Sequence, residues 1–162
     1  MKKIRIGMKM YANLVVVHSD LWSIRSNGFR DFILAIDTGS SKTVIDKAVL
    51  QKAGYNVDSG RVHKITTASK VEQINEVAVD KLQIGDLVIE NMVVYAHSFP
   101  AELFISGLLG LDVLSQFDVN FLFSKRVIEF TEINCGDYST ERREILENTS
   151  KEEILDFLRD EE

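Results

Sequence analysis

Phe32-Ile33-Leu34-Ala35-Ile36-Asp37-Thr38-Gly39-Ser40-Ser41 is the stretch whose reading decides the fold. Its first half is an unbroken apolar run of the kind that forms a buried strand. Its second half is small and polar, and Asp-x-Gly by itself is ordinary turn chemistry. The strand changes what the aspartate means, because it carries the carboxylate toward the interior rather than to a solvated tip. A carboxylate in such a place is costly unless it is paired, hydrogen-bonded or protonated. That cost makes Asp37 the first candidate for chemistry.

Outward from this segment, short runs of Val, Ile, Leu and Phe alternate with turn residues, the pattern of a β-rich domain with few helices. Leu14 to Val17 and Leu21 to Ile24 read as strands, and Asn27-Gly28 turns the chain into a strand from Phe29 to Ile36. After a brief Thr43-Val44-Ile45 strand, Asp46 reads as the N-cap of a helix through Ala48, Val49 and Leu50 that Gly54 ends. Val62 to Thr67, Val71 to Val79, Lys81 to Ile84 and Leu87 to Tyr95 read as hairpin-connected strands, with Gly85-Asp86 as a tight connection. His97 to Glu102, which holds Pro100, reads as a loop. Gly107-Leu108-Leu109-Gly110-Leu111-Asp112 follows, then a short helix from Asp112 to Phe117 and strands at Val119 to Phe123 and Val127 to Phe130.

Two of these motifs, taken in order, carry a resemblance. Ile36-Asp37-Thr38-Gly39-Ser40 with Thr43-Val44-Ile45, followed much later by Leu108-Leu109-Gly110, resembles the retropepsin-like aspartic proteases, single-domain relatives of pepsin that act as homodimers. The likeness covers about Leu14 to Phe130. It implies a mostly β, closed-barrel fold with one or two short helices, to which the chain adds a C-terminal helix. It also implies that Asp37 is the catalytic carboxylate and that Thr38 hydrogen-bonds across to the loop of the partner copy. Gly39 would let the backbone approach the carboxylate, and Ser40 would hydrogen-bond Asp37. Leu108 and Leu109 would pack around the active loop, with Gly110 allowing close backbone passage. Thr67, Ala68 and Ser69 would sit at the tip of the substrate-covering flap, where the family usually places a glycine and this chain has none.

The chemistry accounts for the residue types. Peptide hydrolysis needs a base to activate water and an acid to protonate the leaving amine, and two carboxylates sharing one proton supply both. Only one Asp-Thr-Gly occurs, so the second carboxylate is expected from Asp37 of another copy across a two-fold axis. Asp112 is the other conceivable partner, but its position suggests a helix cap or a salt bridge instead. The expected activity is cleavage of a peptide or protein substrate at acidic or neutral pH, with no cofactor. A non-proteolytic, homodimeric interaction module on the same fold is the alternative.

Charge divides the chain in two. The formal net charge is −6, yet residues 1–135 hold 15 acids and 15 bases while residues 136–162 hold 10 acids and 4 bases. We therefore expect a protease domain at 1–135 and an acidic tail at 136–162. Ser150-Lys151-Glu152-Glu153 matches a capping box, and Ile154, Leu155 and Leu158 form the apolar stripe of a helix. The neutral body offers no basic field for nucleic acid. The longest aliphatic run, Leu14 to Val17, is far below the ~20 residues of a membrane span, and Lys2 to Lys9 contain no apolar core of a signal peptide. A soluble cytoplasmic protein is expected. His18, His63 and His97 are scattered without metal-ligand spacing. Cys135 is the single cysteine and reads as a packed or inert thiol.

Overall fold

The computed structural model describes residues 2–66, 70–133 and 150. In chain order the elements are β1 (Lys3–Gly7), β2 (Lys9–Tyr11), β3 (Leu14–Ser23), β4 (Gly28–Ile36), β5 (Val44–Asp46), helix α1 (Lys47–Ala53), β6 (Val62–Thr66) and β7 (Val71–Ile84). They continue with β8 (Leu87–His97), β9 (Gly107–Leu109), helix α2 (Leu111–Leu114), β10 (Phe117–Leu122), a 3-10 turn at Phe123–Lys125 and β11 (Val127–Glu132). The larger sheet runs β2-β3-β4-β9-β5-β8-β7-β6, and a further pairing of β3 with β7 closes its central strands into a ring. The expected mostly β barrel with short helices is what forms. Residues 2–132 make one compact unit. The tail boundary, the tail helix, Cys135 and the flap tip at Thr67, Ala68 and Ser69 lie outside the described residues.

Hydrophobic alternation explains the strands, and two differences from the sequence reading have physical causes. Leu14 to Val17 and the expected strand from Leu21 form one strand, β3, which runs unbroken through His18, Ser19 and Asp20 and ends at Ser23, one residue short of Ile24. Its pairing with β4 from Val16↔Ala35 to Ser23↔Gly28 carries the backbone across those polar residues. Ser19 faces inward and is fully buried, and its hydroxyl has no hydrogen-bond partner among the described residues. Likewise Val71 to Val79 and Lys81 to Ile84 are a single strand, β7. Buried Val77 and Val79 give way to buried Leu82 and Ile84, so the inward phase changes at Asp80. Opposite, Asn91 adopts φ +52°, and the two strands switch face together with their register preserved from Asn75↔Ala96 to Ile84↔Leu87.

Inside the ring, Val17, Leu21, Leu34, Ile45, Leu50, Leu82, Ile84, Val94 and Leu109 form the core. Helix α1 packs against β3, β5 and β8 and buries Leu50 and Ala53. Asp46 caps it by accepting from Ala48 N at 2.7 Å, and Gly54 ends it at φ +97°, both as expected. Tyr55 then donates to Trp22 O at 2.8 Å and accepts from Asp80 N at 3.2 Å. Burial, the larger influence, pushes its phenol above the usual value of 10.0.

The smaller sheet, β1-β11-β10, lays Ile4, Ile6, Ile128 and Phe130 onto the same core. Strand β1 was legible as Lys-Ile-Arg-Ile alternation but went unread among the N-terminal charges. Its Arg5 lies opposite Glu129 in the register, and Arg5 Nε reaches Glu129 Oε1 at 2.7 Å while Lys3 Nζ stands 3.4 Å from Oε2. The hydrogen bond from Arg5 is the main reason that Glu129 titrates below its ordinary value of 4.5. A depressed folded value means that the stabilisation is complete above about pH 4.5 and fades as pH falls through the lower folded value. Thermal melts of the wild type and Glu129→Gln should therefore differ most near neutral pH and converge toward pH 3. Ser19→Ala, which removes an unpaired buried hydroxyl, should raise the unfolding free energy by about 1 kcal/mol in urea titrations.

Candidate active site

Asp37 is the first residue beyond β4. Strands β4 and β9 run parallel, with Ala35↔Leu108 and Ile36↔Leu109 in register, and β5 pairs antiparallel on the other side of β9. The second motif is thus inserted between the two strands that flank the Asp37 loop. Asp37 N donates to Leu109 O at 3.0 Å, so the pairing extends one residue past the strand and fixes the base of the loop.

The loop is then tied shut. Ser40 N donates to Asp37 O at 3.3 Å, and Gly39 N donates to Asp37 Oδ1 at 2.9 Å. Leu111 N donates to Ser40 O at 2.8 Å, which holds the middle of the loop against the start of α2. At its far end Thr43 is fully buried. Its amide donates to Asp112 Oδ2 at 3.0 Å and its hydroxyl to Asp112 Oδ1 at 2.8 Å, while Gly110 N donates to the same hydroxyl at 3.2 Å. Gly110 has no room for a side chain, because a Cβ there would lie 2.5 Å from the Lys42 carbonyl carbon and oxygen. Ordinary contacts do not come so close, so a larger residue would push the loop out of place.

These ties place the residues expected from the sequence. Leu109 is fully buried in the ring core. Leu108 faces the other way, into a small cluster with Val16, Ala35 and Ile105. Both pack beside the loop, and Gly110 gives the close passage. Thr38 and Gly39 are exposed at the loop tip. Asp37 is half-buried, not interior, in the single chain. Three details differ from expectation. The Ser40 hydroxyl donates to Lys42 O at 2.6 Å and not to Asp37, because the turn aims it along its own backbone. Asp112 is not the N-cap residue of α2: Gly110 is, and Asp112 sits inside the first turn, where its oxygens accept from Thr43 and Oδ1 also accepts from Val113 N at 3.0 Å. The helix occupies Leu111–Leu114, earlier than Asp112 to Phe117, since β10 begins at Phe117. Thr43, read only as the start of a strand, is the organising residue that sequence reasoning missed. A lone hydroxyl residue opening an apolar strand beside the motif was the available signal.

Strands β6 and β7, which flank the expected flap tip in sequence, are paired from Val62↔Asn75 to Thr66↔Val71. His63 Nε2 lies 2.6 Å from Glu76 Oε1, and His97 Nε2 lies 3.8 Å from Glu72 Oε2. Glu72 is held below the usual carboxylate range, chiefly by its hydrogen bond from Lys70 and further by the charges of Lys70 and His97. Among the described residues, no three His, Cys, Asp or Glu side chains gather as a metal site would require. Among the same residues, no helix is long and apolar enough to cross a membrane.

A family model described as aspartyl protease matches residues 22–113, a span that holds the Asp37 loop, the flap stem and the second motif. Among solved structures, the chain is similar to a retropepsin-like aspartic protease from Rickettsia conorii, with a TM-score of 0.54 and 19% identity over 80% of this chain and 89% of that one. It is also similar to the retroviral protease-like domain of Ddi1 from Leishmania major, with a TM-score of 0.49 and 11% identity over 76% of this chain and 97% of that one. No curated protein matches. The first likeness establishes a retropepsin-like fold.

Removing the Thr43 hydroxyl strands a buried amide and half of a carboxylate. Thr43→Val should lower the unfolding free energy by about 2–3 kcal/mol in denaturant titrations. Thr43→Ser, which keeps the hydroxyl, should recover more than half of that loss.

Proposed function

We propose, because the chain belongs to the aspartyl protease family, that it is an aspartic endopeptidase whose active unit is a homodimer with Asp37 of each copy facing the other. The observation that carries this reading is a single half-buried carboxylate on a loop fixed at its base, middle and far end by the second motif. A lone carboxylate so placed supplies one half of a general acid–base pair. The sequence holds no second Asp-Thr-Gly to supply the other.

The chemistry follows from bringing the two halves together. Carboxylates held close cannot both ionise, so one keeps a proton and the pair titrates as a unit. The ionised member takes a proton from a water lying between them, and the water oxygen bonds to the scissile carbonyl carbon. The protonated member passes its proton to the carbonyl oxygen, which becomes the second hydroxyl of a tetrahedral diol. Collapse of the diol breaks the C–N bond as the carboxyl group that took the water proton passes it to the leaving nitrogen. The other, now ionised, takes a proton from a diol hydroxyl, which leaves a carboxylic acid and restores the singly protonated pair. Thr38, exposed beside Asp37, is assigned to bond across the two loops and hold them in register. The extended substrate lies under the β6–β7 hairpin, bound by strand-like hydrogen bonds.

Asp37→Asn should lower kcat/KM on a cleavable peptide by 10²- to 10⁴-fold or more while leaving the sedimentation of the dimer unchanged. Mixed dimers with one wild-type and one Asp37→Asn copy should be as inactive as the double variant. Cleavage that survives the substitution would end the peptidase reading. An intact dimer that cuts nothing in a broad peptide library across pH values would leave the interaction module in its place.

A further inference from the structure

The larger sheet begins at a strand with one open side. Among the described residues β2, Lys9–Tyr11, pairs with β3 alone. Its register puts Lys9 opposite Val16 and Tyr11 opposite Leu14 around the two-residue turn Ala12-Asn13, whose φ angles are +48° and +63°. The pair that flanks a two-residue turn is hydrogen-bonded, and such pairs alternate along an antiparallel ladder. Met10 therefore belongs to the pair that is not, and its N–H and C=O point away from β3. Beside this strand lies a cavity of about 370 Å³ lined by Met8, Lys9, Met10, Phe123 and Arg126. No residue of β3 lines it, so it opens on the side of β2 to which those backbone groups point.

The lining comes from two segments far apart in sequence. Met8 carries the chain from the small sheet to the larger one: just after Gly7↔Val127, its amide donates to Arg126 O at 3.0 Å. Arg126 adopts φ +52°, and its own amide donates to Phe123 O at 3.1 Å, so Phe123 and Arg126 stand at the two ends of one tight turn. Met8 is buried in the core, whereas Met10 and Phe123 are 59% and 58% exposed. Phe123 stacks on Phe121, with ring centroids 6.0 Å apart. The charge here is one-sided. Lys2 to Asn13 hold four cations and no acid, and Val119 to Ile128 hold two cations and no acid, although the body as a whole is neutral. Lys3 and Arg5 are engaged by Glu129, but among the described residues no carboxylate forms an ion pair with Lys9 or Arg126.

We propose that this cavity and the β2 edge together dock an acidic peptide that carries a large apolar side chain. The peptide lies extended along β2 and exchanges hydrogen bonds with Met10, the mode in which a sheet edge gives affinity through the backbone and selectivity through alternate side chains. One apolar side chain enters between Met8, Met10 and Phe123, and carboxylates beside it meet Lys9 and Arg126. The parts suit this ligand. A volume of about 370 Å³ is at the small end of ligand pockets and accommodates a side chain with its flanking backbone. Methionine adapts its shape to the apolar group that arrives, and a guanidinium receives a carboxylate through two parallel hydrogen bonds. A lysine on a short edge strand discourages pairing with the same edge of a second copy, yet it attracts an acidic strand. The site is complete within one chain and requires neither a second Asp37 nor cleavage.

The test is fluorescence anisotropy of the full chain at neutral pH with a short labelled peptide in which glutamate alternates with leucine and phenylalanine. It should bind about tenfold more tightly than the same peptide with lysine in place of glutamate, and about 0.5 M NaCl should weaken the binding without abolishing it. Arg126→Asn removes the charge and keeps a residue that tolerates positive φ, and Met10→Ser removes apolar surface. Each should weaken binding about tenfold. Both side chains are exposed, so circular dichroism and melting of the two variants should match the wild type. Equal affinity for the two peptides, or indifference to either substitution, overturns the proposal. So does an all-glutamate peptide that binds as tightly, because it shows charge attraction with no part for the cavity. Mass spectrometry of the recovered probe separates docking from cleavage: a probe that binds as expected and returns uncut upholds this site whatever becomes of the peptidase reading.

Discussion

The carboxylate of Asp112 holds the site together. With one oxygen on the Thr43 amide and the other on the Thr43 hydroxyl, it joins the end of the Asp37 loop to the first turn of α2. The hydroxyl in turn accepts from Gly110, so strand, loop and helix meet at one buried point. Charge-assisted hydrogen bonds are stronger than neutral ones, and loss of either partner leaves the other unsatisfied where water cannot easily replace it. The insertion of β9 between β4 and β5 depends on this clasp as much as on backbone pairing, because β9 spans only Gly107–Leu109. A strand of that length cannot fix its own register. The side chains that flank it do so.

Much of this was legible in the residues, and what was not has a common cause. Asp37 and Leu108-Leu109-Gly110 were readable because their chemistry is unusual for their setting: a carboxylate at the end of an apolar strand, and a glycine where the chain must pass close to another backbone. The helix ends at Asp46 and Gly54 were readable because capping is local. The ring closure between Asp20–Leu21 and Leu82–Gln83 was not, since no local pattern states which distant strands meet. Nor was the unity of β3 and β7. Polar residues at Ser19 and Asp80 read as breaks, whereas backbone pairing carries both strands through and a change of face absorbs the second. The role of Thr43 also escaped, because a threonine is ordinary at the start of a strand and acquires its function from Asp112, far along the chain.

The same division between local and distant determinants organises the function. Distant segments fix the loop, and among the described residues none covers Thr38 and Gly39. A preorganised half-site with an open face suits chemistry that needs a second carboxylate from outside, since the rigid half bears little reorganisation cost when the other arrives. The flap stem differs. His63 and Glu76 pair within it, and its link to β8 combines His97 beside Glu72 with the backbone pairing that begins at Asn75↔Ala96.

The pairing of β1 with β11 has a consequence for how the protein is made. Residues 3–7 leave the ribosome long before their partners at 127–131. Ile4 and Ile6 must wait, exposed, through the synthesis of nearly everything between them. Such long sequence separations make for slow folding and leave apolar strands open to wrong partners in the interval. They also impose an order on the cell, because the sheet that completes the domain cannot assemble until translation has passed Glu132. The nascent chain is thereby kept from reaching its finished form while it is still being built.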